Sequence, residues 1–176
     1  MTDQAKVVVV RWPGQDDVAQ DGLAGLLAAY HLATEAEKGQ VVPDVDELPD
    51  RYRAEILDPR IAFAGDVVLV ALIGHTLVGC LVVTAPISAR SEIKRLWTQP
   101  AFRNRGIASG LLRVALTHAA AGGAEIVQLS VWNWRTEAIA LYERFGFTVA
   151  ASWDERDQLV CMEREIQPVA PGLVGH

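Results

Sequence analysis

Residues 92–147 begin with Glu92-Ile93, turn at Arg103-Asn104-Arg105-Gly106-Ile107-Ala108, and end in Leu141-Tyr142 and Phe145-Gly146-Phe147. Apolar periodicity predicts a strand over 92–98, a helix over 107–121, a buried strand over 126–132 and a helix over 136–145. This order of strand, turn, helix, strand and helix predicts an α/β domain and decides how the rest of the chain is interpreted.

The glycine turn before the helix at 107–121 has the character of an anion site. The first N–H groups of a helix have no partner within it, and the helix dipole favours a negative charge there. A bed of N–H groups is expected from about Asn104 to Ser109, with Arg103 and Arg105 beside it. No Gly-Lys-Ser/Thr ending follows, and two of the three glycines of the dinucleotide fingerprint are missing. The turn therefore favours some other phosphorylated ligand, although Gly106 alone also fits a tight strand-to-helix connection.

The remaining segments are predicted to form further strands and helices. Strand-like apolar runs cover residues 7–10, 66–73, 76–84, 149–152 and 158–164, and helical spacing covers a segment ending at Lys38-Gly39 and another between Asp46 and Leu57. Asp16 or Asp17 is predicted to cap the first helix, Gly39 to follow its end, and Gly74-His75 to form a two-residue hairpin. No internal repeat and no second domain are expected.

Composition narrows the class of protein. A net charge of −6 argues against a nucleic-acid binder, and no apolar run approaches the length of a membrane span. The first residues lack the regions of a signal peptide, and Cys80 and Cys161 are expected to be buried free thiols, so a cytoplasmic location is expected. His31, His75 and His118 lack the spacing of a metal site, and no metal is predicted.

The motifs resemble those of the GNAT superfamily of N-acetyltransferases. Arg-x-x-Gly-x-Ala opens a helix after a strand beginning Glu-Ile, and the later helix ends Leu-Tyr-x-x-x-Gly-Phe; the resemblance covers roughly residues 67–163. The composition of residues 167–176, with Pro168, Pro171 and two glycines, predicts a disordered tail, and the resemblance implies one α/β (α+β) domain over residues 1–166. It further implies a mixed sheet of six or seven strands, splayed between its fourth and fifth strands, with about four helices on both faces and acetyl-CoA as cosubstrate in the gap.

The same resemblance implies which residues hold the cofactor. The turn would cradle its pyrophosphate, and the end of the preceding strand would pair with the pantetheine arm and stabilise the thioester oxygen. These residues are Leu96, Trp97, Thr98, Arg103, Asn104, Arg105, Gly106, Ile107, Ala108 and Ser109. Many family members carry a cofactor-contacting asparagine seven residues before the tyrosine, where this chain has Arg135, so Arg135 either replaces that contact or the contact is lost.

Two residues are candidates for proton transfer. Tyr142 matches the tyrosine that protonates the leaving thiolate in the family, and its alternative is a core aromatic beside Phe145. Glu92 lies where some members place a base for the amine, and its alternative is a solvated carboxylate paired with Lys94 or Arg90. Strict alternation along the strand would put Glu92 and Lys94 on one face with Leu96 and Thr98, and Ile93, Arg95 and Trp97 on the other.

The resemblance implies attack of a primary amine, on a small molecule or a peptide, directly on the thioester. The alternative is a non-catalytic acyl-CoA-binding or regulatory domain with the same fold. Lys94 or Arg95, but not both from a regular strand, is a candidate for binding a substrate carboxylate. Trp132 and Trp134 either wall a channel or pack beneath the last helix. The amine acceptor itself is not identified, and whether the protein forms a homodimer is left open.

Overall fold

The computed structural model describes residues 6–13 and 20–169. The strands are β1 Val7–Trp12, β2 Val67–Ile73, β3 Thr76–Val83, β4 Arg90–Thr98, β5 Ile126–Trp132, β6 Thr148–Val149 and β7 Leu159–Glu165. The helices are α1 Gln20–Glu37, α2 Asp50–Leu57, α3 Pro59–Ala62, α4 Ile107–Ala121 and α5 Thr136–Arg144. The predicted caps at Asp16 or Asp17 and most of the predicted tail, residues 170–176, lie outside the described residues.

Hydrogen bonding orders the strands β1-β2-β3-β4-β5-β7-β6. The sheet is mixed, because β4 runs parallel to β5 whereas β1–β2, β5–β7 and β6–β7 are antiparallel. The β4–β5 register covers only Arg90 to Glu92, opposite residues 126–128. The predicted fold class, a mixed sheet of six or seven strands with helices, is therefore confirmed with seven strands.

Most predicted elements are confirmed, and the differences have local causes. The end of α1 is a Schellman motif, in which Gly39 has φ +84° and its N–H bonds to Ala36 while the N–H of Gln40 bonds to Glu35. The four-residue helix α3 was not predicted; Asp58 caps it by accepting a hydrogen bond from the Ile61 N–H. Strand β6 ends before the predicted limit at residue 152, because the Ser152 hydroxyl hydrogen-bonds to Asp154 in a turn.

The chain forms two compact units, of which the first comprises residues 1–82 and 95–112. Its core joins α1 to the sheet through ten buried side chains, with Trp97 packed against them: Trp12, Leu23, Leu26, Leu27, Phe63, Val68, Val70, Leu77, Cys80 and Val82. A Cβ at Gly79 would lie 3.0 Å from Ile107, 3.1 Å from Leu111 and 3.1 Å from the Trp97 carbonyl oxygen. Gly79 therefore allows the start of α4 and the end of β4 to pack closely on β3.

The second unit comprises residues 83–94 and 113–176. Its strand β5 pairs with β7 along all seven residues and buries alternate side chains, Val127, Leu129 and Val131. Leu141 and Tyr142 are the buried residues of α5. At the end of the described chain, the Val169 N–H donates to the Ala120 carbonyl, so residues 167–169 of the predicted tail lie along this unit. The domain limits themselves stay a prediction.

Candidate functional site

The turn before α4 presents backbone N–H groups as the sequence predicted. Asn104 has φ +64° and Gly106 has φ +76°, and alternating left-handed residues form a concave nest of N–H groups. The first bond of the helix runs from the Gly110 N–H to the Gly106 carbonyl at 3.0 Å. Within residues 6–13 and 20–169, no backbone carbonyl accepts from the N–H groups of 104–109. Apart from its chain neighbours, no atom of the described residues lies within 4 Å of the position that a Cβ on Gly106 would take.

Arg103 joins this turn to the end of β4. Its Nε donates to the Thr98 carbonyl at 3.2 Å, and its guanidinium lies 4.9 Å from the centre of the Trp97 ring. Arg105 is exposed and lies 5.3 Å from the Phe102 ring. Arg103 thus connects the turn before α4 with the end of β4, while Ile107, also among the predicted cofactor residues, is buried.

The backbone of β4 leaves the extended conformation at one residue. Arg95 has φ +59°, which lies in the left-handed region. Up to that point burial alternates, since Ser91 and Ile93 are buried while Glu92 and Lys94 are half-buried. Beyond it all residues are half-buried, and Arg95 and Trp97, which the predicted alternation placed on one face, both approach Tyr30, at 5.7 Å and 6.2 Å.

The structure also reveals a buried charged group that the sequence analysis did not predict. It consists of Tyr30 and His31 on α1, Tyr52 and Glu55 on α2, and Arg95 on β4, and we call it the Arg95 cluster. Arg95 donates from Nη2 to Glu55 Oε1 at 2.7 Å and from Nε to Oε2 at 2.9 Å. His31 Nε2 lies 2.8 Å from Glu55 Oε2, and its ring stacks on Tyr52 at 4.2 Å.

These contacts give His31 a partner and engage part of the Arg95 guanidinium. The Nε and Nη2 atoms of Arg95 donate to Glu55, and binding of a substrate carboxylate by Lys94 or Arg95 stays a prediction. His31, which the sequence gave no role, is a buried partner of Glu55. The one signal in the sequence is that Tyr52 and Glu55 are three residues apart and thus share a helix face. The partners on α1 and β4 are too far along the chain to be inferred from spacing.

Charges within the Arg95 cluster are set by burial and by these hydrogen bonds. Burial acts to raise the pKa of Glu55, but the hydrogen bonds with Arg95 and His31 outweigh it and hold that pKa at about 2. Burial lowers the pKa of His31 below its ordinary value of 6.5 in spite of the opposing bond to Glu55. At neutral pH the cluster therefore contains a carboxylate, a guanidinium and a neutral imidazole, whose Nε2–H donates to Glu55.

The free energy of unfolding is expected to fall on acidification through this cluster. Below 6.5 the unfolded chain protonates His31 while the folded protein resists it, and from 4.5 towards about 2 the same holds for Glu55. Glu55 contributes on the order of 2 kcal/mol above that lower window, after a discount for partial solvent screening. Denaturant unfolding at several pH values measures this. The stability difference between wild type and Glu55→Gln should shrink below pH 4.5; a constant difference would contradict the assignment.

Glu92 is half-buried in the second unit. Its N–H donates to the Thr84 hydroxyl at 2.9 Å, and Glu92 faces Gln128 in the parallel register with β5. Arg90, one of the partners considered for it, instead pairs with Glu163 at 3.2 Å and approaches Gln128 at 3.4 Å. The backbone position of Glu92 is therefore well defined, and its role as a base stays a prediction.

Tyr142 is buried on α5, with 7% of its surface exposed. Its ring meets Phe147 edge to face at 5.9 Å, so the aromatic contact is with Phe147, two residues beyond the Phe145 considered from the sequence. The Tyr142 carbonyl accepts from the N–H groups of both Phe145 and Phe147, which closes the helix. The ring is thus held in the core of its unit, and the role of the hydroxyl stays a prediction.

The residues between β5 and α5 bring aromatic and cationic groups together. Trp132 and Trp134 stack at 4.8 Å with their planes 11° apart, and Arg156 lies 5.4 Å from the Trp132 ring. Arg135 is the N-cap residue of α5, and its carbonyl accepts from the Ile139 N–H. Both tryptophans are half-buried, and their predicted place, in a channel wall or beneath the last helix, stays a prediction, as does a contact of Arg135 with a cofactor.

The two cysteines, Cys80 and Cys161, are buried and form no disulfide bond, and burial raises the pKa of the Cys80 thiol to about 12. In the described part of the chain, no three His, Cys, Asp or Glu side chains gather as a metal ion would require. None of the helices in that part is long and apolar enough to cross a membrane.

The sequence is similar to those of one family of known proteins. The model described as the acetyltransferase (GNAT) family matches residues 27–147. A mycothiol acetyltransferase of Corynebacterium glutamicum is 44% identical over 61 residues, which cover 35% of this chain and 21% of that protein. One from Corynebacterium efficiens is 38% identical over 77 residues, which cover 44% of this chain and 26% of that protein. The chain thus matches only about a quarter of the length of these relatives.

Solved structures share the fold at low sequence identity. The PaiA N-acetyltransferase of Thermoplasma acidophilum in complex with coenzyme A has a TM-score of 0.70 and 18% identity, covering 92% of this chain and 99% of that one. A GNAT acetyltransferase of Staphylococcus aureus Mu50 has a TM-score of 0.69 and 13% identity, covering 91% and 99%. At such identities the likeness concerns the fold alone.

Proposed function

Because this chain belongs to the acetyltransferase (GNAT) family, we propose that it transfers an acetyl group from acetyl-CoA to a primary amine. The observation that carries the proposal is the nest at the start of α4, in which Asn104 and Gly106 are left-handed and the N–H groups of 104–109 point to no backbone carbonyl. The N-terminus of a helix with such N–H groups favours a phosphate anion. Acetyl-CoA is a phosphorylated ligand that carries its reactive group far from its phosphates.

The first unit would bind the cosubstrate through two parts. Asn104 to Ser109 would hold the pyrophosphate, with Arg103 and Arg105 adding positive charge. The backbone of Leu96 to Thr98 would pair with the pantetheine arm, and an N–H group there would stabilise negative charge on the thioester oxygen. The residues fit such a ligand, since the nest is open and a side chain at Gly106 would occupy the space in front of it. Bound acetyl-CoA supplies the activated acetyl group.

The second unit would supply proton transfer. An alkylamine is mostly protonated at neutral pH and must lose a proton before it attacks, and Glu92 would accept that proton directly or through water. Tyr142 would donate its phenolic proton to the departing sulfur. A phenol of reference pKa about 10 is a weaker acid than a thiol of pKa about 8.5, so full transfer is uphill by about 2 kcal/mol, and the phenol would act by donating to the sulfur as negative charge develops on it. Arg135 at the start of α5 is retained as a candidate contact to the cofactor.

A thiol-release assay with a panel of amines tests the proposal. Coenzyme A release should require acetyl-CoA, an amine and the protein together. Mycothiol-type acceptors belong first in the panel because of the names of the matched relatives. The alternative is a non-catalytic acyl-CoA-binding or regulatory domain, for which calorimetry would show binding of acetyl-CoA while no amine accelerates thiol release. Absence of binding as well would refute both.

Substitution of Glu92 by Gln tests its role as a base. The amide keeps the shape of the side chain but cannot accept the proton, so we expect turnover to fall about fivefold at neutral pH, less than a fully committed base would give because water can relay the proton. The loss of turnover should be smaller at about pH 9, where a larger fraction of the amine substrate is unprotonated. Steady-state rates across pH measure this.

The control for Glu92 is Glu163→Gln, which removes a carboxylate paired with Arg90 in the same unit. It should leave the pH profile of turnover unchanged. A uniform loss at every pH in Glu92→Gln would indicate that Glu92 holds the ammonium by charge. No loss at all would return Glu92 to a solvated carboxylate at the strand.

A further inference from the structure

Arg95 adopts a backbone conformation that its side chain does not favour. Its φ of +59° lies in the left-handed region, in the middle of a nine-residue strand. For an L-residue other than glycine this conformation is unfavourable, because the Cβ lies too close to the following carbonyl oxygen. Such a residue persists only where its surroundings hold it, and strain of this kind concentrates at functional sites. Contacts around Arg95 are therefore expected to hold it in this conformation.

Contacts from α1 and α2 hold the Arg95 side chain. Glu55 binds it through two hydrogen bonds, 2.7 Å and 2.9 Å long, which fix both the position and the plane of the guanidinium. The guanidinium also lies 5.7 Å from the Tyr30 ring and 5.6 Å from the Tyr52 ring. Its exposed fraction is 19% and that of the Glu55 side chain is 11%, so water competes weakly for this pair.

Glu55 is itself held from the other side. His31 Nε2 donates to Glu55 Oε2 at 2.8 Å, and the His31 ring is sandwiched by a stacking contact with Tyr52 at 4.2 Å and an edge contact with Tyr30 at 5.2 Å. The backbone of Arg95 has its own contact, because the Cys80 thiol donates to the Arg95 carbonyl at 3.4 Å. The side chain and the carbonyl of the same left-handed residue are thus tied to different elements.

We propose that Glu55 is a positioning residue that holds Arg95 in its left-handed conformation and thereby directs the backbone of Leu96, Trp97 and Thr98. The direction of the chain beyond a residue depends on the dihedral angles of that residue, so an anchored Arg95 sets where the next N–H and C=O groups point. That these three residues serve acetyl-CoA rests on the proposed function; the anchoring by Glu55 does not.

Other roles for Glu55 fit the geometry less well. A base for the amine would need a carboxylate that accepts protons near neutral pH, whereas Glu55 is engaged by three hydrogen bonds from two partners. An ammonium of the acceptor would have to compete with the Arg95 guanidinium, which binds both oxygens of Glu55 at 2.7 Å and 2.9 Å in a side chain that is only 11% exposed. Binding of a guanidinium that shapes the strand is what these contacts accomplish.

Amide exchange in the ligand-free protein tests the anchoring without reference to catalysis. We expect Glu55→Gln to speed exchange at residues 95–98 at least about fivefold, because the neutral amide binds the guanidinium with one oxygen and no charge. The amides of β5, Ile126–Trp132, should exchange as in wild type. The control is Glu35→Gln. It removes a different buried carboxylate, which lies on α1 and pairs with Lys38 at 3.0 Å, and it should not change exchange at residues 95–98. Unchanged exchange at 95–98 in Glu55→Gln would overturn the inference.

A matched pair of substitutions at Arg95 tests the backbone argument. Arg95→Gly and Arg95→Ala remove the same side-chain contacts, but only glycine adopts a positive φ without strain. We expect the glycine variant to keep a turnover at least about threefold above the alanine variant, with similar KM for acetyl-CoA, because the nest at α4 is untouched. Equal losses in both would show that the side chain of Arg95 acts for itself and would overturn the inference.

Failure of the proposed acetyl transfer can be distinguished from failure of the anchoring by Glu55. A wild-type protein without acetyl transfer to any amine would refute the proposed function. The exchange rates of residues 95–98 in the Gly and Ala variants would still decide the anchoring, with slower exchange expected for glycine. Faster exchange in Arg95→Gly than in Arg95→Ala would contradict it whatever the activity.

Discussion

Replacing Tyr142 by phenylalanine is expected to lower turnover by about 100-fold or more while acetyl-CoA still binds. The physical reason is that the substitution removes one proton donor and leaves the ring. The ring is buried and meets Phe147 at 5.9 Å, a contact that phenylalanine can keep. Without the phenol the sulfur must leave as a thiolate or take its proton from water, and both raise the barrier.

Two measurements separate this acid role from a packing role. Single-turnover rates with saturating acetyl-CoA report the chemical step, and calorimetry reports the affinity. Thermal unfolding should show nearly the stability of wild type, because the buried ring is retained. A Phe variant with near-normal turnover would return Tyr142 to a core aromatic of α5, and a variant that loses affinity and turnover together would point to a binding role.

Gly106→Val is expected to weaken acetyl-CoA binding at least about tenfold, which corresponds to about 1.4 kcal/mol. Two effects act together. Gly106 has φ +76°, which a β-branched residue adopts only with strain, and no atom of the described residues beyond its chain neighbours lies within 4 Å of its Cβ position, so a side chain there would take up open space. A side chain there would crowd the approach of the pyrophosphate to the N–H groups. Calorimetry with acetyl-CoA measures the change.

The control for Gly106 is Gly39→Val at the end of α1. Gly39 has φ +84° and open space around its Cβ position, so the substitution imposes a similar backbone strain far along the chain from the nest. It should reduce stability as Gly106→Val does and leave the affinity for acetyl-CoA unchanged. Unchanged affinity in Gly106→Val would remove the phosphate assignment. An equal loss of affinity in both variants would attribute it to strain alone.

The roles predicted from the family resemblance fall into two groups, and the residues of each group lie in a different compact unit. The nest and the end of β4 belong to the first unit, whereas Glu92 and Tyr142 belong to the second. Cosubstrate binding and proton transfer are therefore proposed for different parts of the chain, and the variants above test them separately. The Arg95 cluster adds a third role within the first unit, that of holding one segment of backbone.

Local patterns along the chain determined most of the secondary structure. The limits of α4 and β5 agree with those predicted from apolar spacing, and Gly39 and Gly74 take the positive φ values expected at a helix end and in a hairpin. These features are predictable because periodicity and the conformational freedom of glycine act within a few residues. The nest at Gly106 was predictable for the same reason, since a helix N-terminus leaves its N–H groups unpaired.

The tertiary structure alone decided the Arg95 cluster and the course of β4. Glu55 lies 40 residues from Arg95 and 24 residues from His31, so no local pattern relates the three. The intrinsic preference of arginine is against φ +59°, and the sequence predicted a regular extended strand at this point. We attribute the conformation to the contacts of Arg95 with α1 and α2, which exist only once these helices have packed on their unit.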